Sequence, residues 1–117
     1  MSESDRDDLI DAYFRAMDAD DLSIVEPALA DGFVFESLGG DLEGFAGLQT
    51  YMDELRGMSN TTHEVDLRVH GENASAAEGT VTGDGEDGRV EADFVDVFEF
   101  SEGDEDITRI GVYLNDS

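Results

Sequence analysis

Apolar positions recur at helical spacing in the first half of the chain and mostly at strand spacing in the second. Leu9, Ile10, Tyr13, Phe14 and Met17 fall on one stripe of a helix. Ser4 is placed to cap it, with Asp5, Asp7 and Asp8 in the first turn, where the helix dipole favours negative charge. Asp18, Ala19, Asp20 and Asp21 break the stripe. Leu22, Ile24, Val25 and Leu29 then supply the buried side of a short second helix, bent or tightened by Pro27 and stopped at Asp31-Gly32. Residues 33–37 read as a first strand closed by Gly39-Gly40. Phe45, Leu48, Tyr51, Met52 and Leu55 make a third helix over 45–56, ended by Gly57, in which Gly44 and Gly47 permit close approach to a neighbouring backbone.

From there the period is two. His63, Val65, Leu67 and Val69 alternate against Glu64, Asp66, Arg68 and His70, which predicts a strand with one wet face. Residues 73–82 form a strand of small side chains, 84–88 a hairpin turn, 90–100 the longest strand, 101–106 an acidic turn and 107–114 the last strand. Three helices, a strand between the second and third, and a four-strand antiparallel run define an α+β fold: a curved sheet with helices packed on one side.

The strand over 90–100 carries a misfit. One phase reads Val90, Ala92, Phe94, Asp96, Phe98 and Phe100, apolar except at Asp96. A carboxylate there is costly unless it is hydrogen-bonded, or protonated through a raised pKa. Tyr13, in the middle of the first helical stripe, needs a partner for its hydroxyl inside the protein. Glu36 shares its phase with Val34 and Leu38 and is a second polar residue in an apolar setting. Each has a purely structural alternative: a buried Asp satisfied by backbone or a hydroxyl, a core tyrosine bonded to a carbonyl, and a solvated Glu at a strand end.

Composition adds one strong constraint. Asp and Glu number 31 against 6 Lys plus Arg, a formal net charge of −25, and every basic residue is Arg. Such a field strains a small compact domain through self-repulsion in dilute buffer. At molar salt the Debye length is about 3 Å and the repulsion is screened, so the sequence predicts a halophilic protein from a salt-rich cytoplasm. No basic patch exists to neutralise phosphates, which excludes nucleic acid as a partner. The absence of cysteine excludes disulfides, zinc–thiolate sites and cysteine nucleophiles. The 117 residues are read as a single domain, 1–117, soluble and cytoplasmic, with no membrane segment and an acidic N-terminus unlike a signal peptide. The acidic clusters miss calcium-loop spacing at Leu22 and Gly88. His63 and His70, seven apart on one strand, are expected to face opposite ways and form no metal pair.

The segment from Tyr13 to Leu22, with Asp31-Gly32-Phe33-Val34-Phe35-Glu36, resembles the opening of the SnoaL-like, NTF2-like superfamily. Gly44-Phe45-Ala46-Gly47-Leu48-Gln49 looks like its glycine-led third helix, and Asp96-Val97-Phe98-Glu99-Phe100 like its long central strand. The resemblance implies a cone-shaped α+β barrel with a deep pocket, commonly dimeric through the open sheet face. Its steroid Δ-isomerase branch places a pocket tyrosine on Tyr13, a carboxylate base on Glu36 and a protonated oxyanion-hole acid on Asp96. The base would be Glu rather than Asp, one methylene longer.

Two functions follow. In the first, an enzyme abstracts a proton next to the carbonyl of an apolar small molecule, with Glu36 as base and Tyr13 and neutral Asp96 donating to the enolate oxygen; a polyketide cyclase would use the same logic. In the second, Tyr13 and Asp96 bond to each other in a non-catalytic ligand-binding or dimerisation module. Neither calls for a cofactor or metal, and both expect a homodimer.

Overall fold

The first apolar stripe winds into α1 (Glu3–Ala19). It starts one residue ahead of Ser4, so the expected cap lies inside the helix. The computed structural model describes residues 3–37, 40–55, 59–102 and 106–115; the stops expected at Gly39 and Gly57 lie outside these. The stripe is buried through Ile10, Tyr13, Phe14 and Met17, each large side chain contributing about 1.5–3 kcal/mol by leaving water.

The second helix does not form as an α-helix. Leu22–Ile24 and Glu26–Ala28 are separate 3-10 turns. Asp21 caps the first, accepting from the Ser23 backbone N–H at 3.1 Å, and Pro27 near the start of the second has no N–H to give. A segment this short cannot repay helix nucleation. The chain therefore turns early into β1 (Leu29–Ser37), which absorbs the Asp31-Gly32 pair expected as a helix stop. Gly32 takes φ +79° where the register of β1 against the last strand shifts.

A short strand absent from the sequence reading, β2 (Gly40–Glu43), pairs back on β1. It is followed by α2 (Gly44–Thr50), which widens into one π turn over Tyr51–Leu55. A Cβ on Gly47 would come within 2.8 Å of the Leu42 carbonyl carbon, so glycine is what seats α2 on β2.

The remaining strands are β3 (Ser59–His70), β4 (Ala74–Gly85), β5 (Gly88–Phe100) and β6 (Ile107–Asn115). The sheet order is β2-β1-β6-β5-β4-β3, antiparallel throughout except for the parallel β1–β6 pair. α1 crosses β3 and α2 lies on β1, so both helices cover one face of a curved mixed sheet. The core lies between, filled by Phe33, Phe35 and Phe98 with Ile10, Leu48 and Ile110. The far face carries Leu67, Val69 and Tyr113, all about half exposed.

One irregularity changes which residues meet. The β3–β4 register shifts between Val65 and Leu67, leaving Asp66 as an extra residue. Thr61, His63 and Val65 face the helices before it; Arg68 and His70 do so after it, and Leu67 and Val69 turn outward. His63 and His70 consequently lie on the same face, contrary to the parity of their spacing. At this crossing a Cβ on Gly79 would overlap the carbonyl oxygen of Glu64, so only glycine lets β4 approach.

Candidate functional site

Asp96 is the chemically exposed-by-composition, physically buried group at the centre of the sheet. It pairs in register with Ala77 on β4 and Val112 on β6, and Phe94 and Phe98 flank it on its own strand. Only 2% of its surface is exposed. Its Oδ1 is buried with no hydrogen-bond partner among the described residues. Burial pushes the Asp96 carboxyl well above its ordinary range. A carboxylate in this setting would cost several kcal/mol without a counter-charge or donors, so the neutral acid is the favoured form, and a neutral acid has a proton to donate.

Tyr13 arrives from α1, 2% exposed. Its ring meets Phe98 edge-on at 5.5 Å and Phe14 at 5.2 Å. Phe98 is two residues from Asp96 on the same face, so Tyr13 packs against a ring that flanks the acid.

Glu36 does not join them. Phe33 and Phe35 are the buried phase of β1, and Glu36 lies on the other. It pairs in register with Gly111, which pairs with Val97, a residue of the opposite parity to Asp96. On that outer face Glu36 makes an ion pair with Arg109 at 2.7 Å, and Arg109 also donates to Glu99 at 2.9 Å. The Glu36 hydrogen bond leads the interactions that raise the Arg109 pKa, with Tyr113 and Glu99 adding to it against a burial penalty. Glu36 shares its sequence phase with Val34 and Leu38, but Phe33 and Phe35 own the core side.

A second cluster, invisible to the strand-period argument, joins α1 to β3. Asp18 accepts from the His63 backbone N–H at 3.0 Å and the Thr61 hydroxyl at 3.0 Å, and contacts His63 Nδ1 at 2.5 Å. The His63 ring sits between Phe14 and Phe94, at 5.1 and 5.3 Å. Further along, Arg68 bonds Asp7 and Asp11, and His70 bonds Ser75 at 2.7 Å and approaches Asp7 at 3.3 Å. Hydrogen bonds to Asp11 and Asp7 raise the Arg68 pKa despite the opposing, larger single effect of burial. A groove of about 1010 Å³ runs along this seam, lined by Phe14, Arg15, Asp18, His63, Val65 and Arg68 among others. A cavity of about 450 Å³ lies at Thr80, Asp93, Val95 and Tyr113. Among the described residues no three His, Asp or Glu side chains gather to hold a metal ion, and no helix is long and apolar enough to cross a membrane.

A six-stranded curved sheet with helices on one face and a buried acid on its central strand defines an α+β cone of the NTF2-like kind. The SnoaL-like domain profile matches residues 10–110, and the chain belongs to that family. No curated protein matches it. An NTF2-like protein of unknown function from Burkholderia pseudomallei superposes with a TM-score of 0.84 at 17% identity, over 98% of this chain and 92% of that one. A LEH-like epoxide hydrolase of M. tuberculosis gives 0.77 at 22%, covering 96% and 84%. SalBIII, described as an epoxide hydrolase/cyclase-like enzyme in pyran ring formation in salinomycin, gives 0.79 at 20%, covering 97% and 93%. At these identities the likeness is one of fold.

Proposed function

We propose that this chain binds an apolar small molecule through one oxygen, a carbonyl or an ether, and that neutral Asp96 donates a hydrogen bond to that oxygen, with Tyr13 as the second donor. The observation that carries the reading is the buried Asp96 carboxyl, with an oxygen that no described group satisfies. Donation in a dry, aromatic compartment is worth more than in water and stabilises negative charge developing on the bound oxygen. Isomerase-like chemistry next to a carbonyl and opening of an epoxide both need that stabilisation; one structural neighbour described as an epoxide hydrolase and one as epoxide hydrolase/cyclase-like keep the second in view. Glu36 is left out of the machinery because of its place on the outer face.

The non-catalytic reading has its own support in the same number, since a 2%-exposed acid is sealed by its neighbours in this structure. Exchange of the α-hydrogens of 2-tetralone in D₂O and hydrolysis of styrene oxide decide between them. Asp96→Asn keeps a donor and retains substantial activity on whichever probe reacts, while Asp96→Leu loses it. No turnover of either probe by the folded protein would leave the chain a binding module.

The outer sheet face, with half-exposed Leu67, Val69 and Tyr113 around Val95 and Val97, supports a homodimer. The halophilic, cytoplasmic setting rests on the net charge of −25.

A further inference from the structure

The strand register sets three residues in one row across the inner face of the sheet. Arg68 on β3 pairs with Ala77 on β4, and Ala77 pairs with Asp96 on β5. Two strand spacings amount to about 10 Å, and Ala77, fully buried, stands between the cation and the acid. The bulge at Asp66 creates this row. With unbroken alternation from His63, Arg68 would lie on the outer face. An uncompensated arginine so close would stabilise the carboxylate form of Asp96 and take away the proton that the acid has to donate.

Arg68 is compensated twice. Its guanidinium turns to α1, where it bonds Asp7 at 3.0 Å and Asp11 at 2.5 Å. These acids are four residues apart on the helix and so present their carboxylates to the same stretch of β3. One guanidinium against two carboxylates leaves the cluster with a surplus of one negative charge. The other polar groups around the acid are few. α1 contributes Tyr13 and also Arg6, which bonds oxygens of Gly71, Glu72, Ala74 and Ser75 and lies over Phe100. β3 contributes His70, one row along from Arg68, which meets Asp7 at 3.3 Å. The inner faces of β6 and β1 and the buried side of α2 contribute Val112, Phe35 and Leu48, none of them charged.

We propose that Asp7 and Asp11 are positioning residues for the Asp96 site: they hold Arg68 against α1 and cancel its charge, so that Asp96 keeps a proton to donate. The inference rests on the reading of Asp96 as a neutral donor. It acts through charge alone, across a packed stretch of sheet where the field is weakly screened. Asp7 and Asp11 are themselves partly exposed, so solvent and salt reduce the effect without removing it.

Carbon-13 NMR titration of the Asp96 carboxyl, in the full chain at a salt concentration where it is folded, tests this with variants of opposite sign. Asp11→Asn lowers the Asp96 midpoint, and Asp7→Asn with Asp11→Asn lowers it further, by about half a pH unit or more in all. Arg68→Gln leaves two acids without their cation and raises the midpoint, while Arg68→Lys restores the wild-type value. Loosened packing would instead admit water and move every variant towards the ordinary aspartate value of about 3.9; circular dichroism establishes that each variant is folded. Midpoints unchanged in the acid variants, or lowered in Arg68→Gln as well, overturn the proposal while leaving the neutral Asp96 standing. A wild-type midpoint already at the ordinary value overturns both.

Discussion

Glu36 reaches Arg109 at 2.7 Å on the face of the sheet opposite to that carrying Asp96. The thickness of one sheet thus separates two carboxyl groups into two environments. Asp96 is buried, with no counter-charge on it among the described residues; Glu36 is partly exposed and paired. The same fold buries one carboxyl and makes the other half of a surface ion pair.

Glu36→Gln is accordingly a mild substitution. The pair is more than a quarter exposed on both sides, and such pairs are worth about 0–1 kcal/mol. Urea unfolding should show a loss within that range, and turnover of 2-tetralone or styrene oxide should stay within about twofold of wild type. Loss of turnover with unchanged stability would return the base to Glu36.

Gly79→Ala should be severe. The added methyl meets the Glu64 carbonyl, a backbone atom that cannot swing aside, at the point where β3 bulges. Overpacking of this kind costs about 1–3 kcal/mol or more. The urea midpoint should fall well below wild type, whereas Gly88→Ala, with open space around the Cβ but a φ of +128°, reports only the backbone strain.

Salt should control both folding and association. With a net charge of −25, dilution from molar to about tenth-molar salt lengthens the Debye length from about 3 to 10 Å and restores the repulsion. The melting temperature should fall steeply over that range, and sedimentation should show a dimer at high salt that dissociates before unfolding. A flat melting profile would contradict the halophilic reading, and a monomer at all salt concentrations would contradict the outer-face dimer.

Stability should also fall as pH rises through the Asp96 titration. A carboxyl whose folded pKa is raised above its unfolded value binds a proton more tightly when folded. Its contribution is present in full below the unfolded pKa of about 3.9 and is lost by about 1.4 kcal/mol per pH unit as pH rises from there to the folded pKa, above which no more is lost. Asp96→Asn cannot lose a proton, so its melting temperature should gain on wild type from the carboxylate range up through neutral and alkaline pH.

The long-period features of this fold were legible in sequence. The stripe through Tyr13 and Phe14 and the alternation around Asp96 each follow from one element's own periodicity, and the profile match over 10–110 accords with the family resemblance. What escaped depended on neighbours. Pro27 and the Asp21 cap split a helix that apolar spacing alone supports. The bulge at Asp66 reverses the phase of β3, putting His63 and His70 on one face and turning Leu67 and Val69 out, and it lies beside the close approach at Gly79. Glu36 was misplaced because Val34 and Phe35 are both apolar, and only packing tells which side of β1 the core takes. The Asp18–His63 pair joins residues 45 positions apart, beyond any local pattern.

Carbon-13 NMR titration of the Asp96 carboxyl tests the central claim most directly. In protein folded at high salt, the account predicts a carboxyl whose signal moves only well above the ordinary aspartate range. A midpoint at or below about 3.9, the ordinary value for aspartate, would mean that Asp96 is a stabilised carboxylate and would contradict its role as a proton donor.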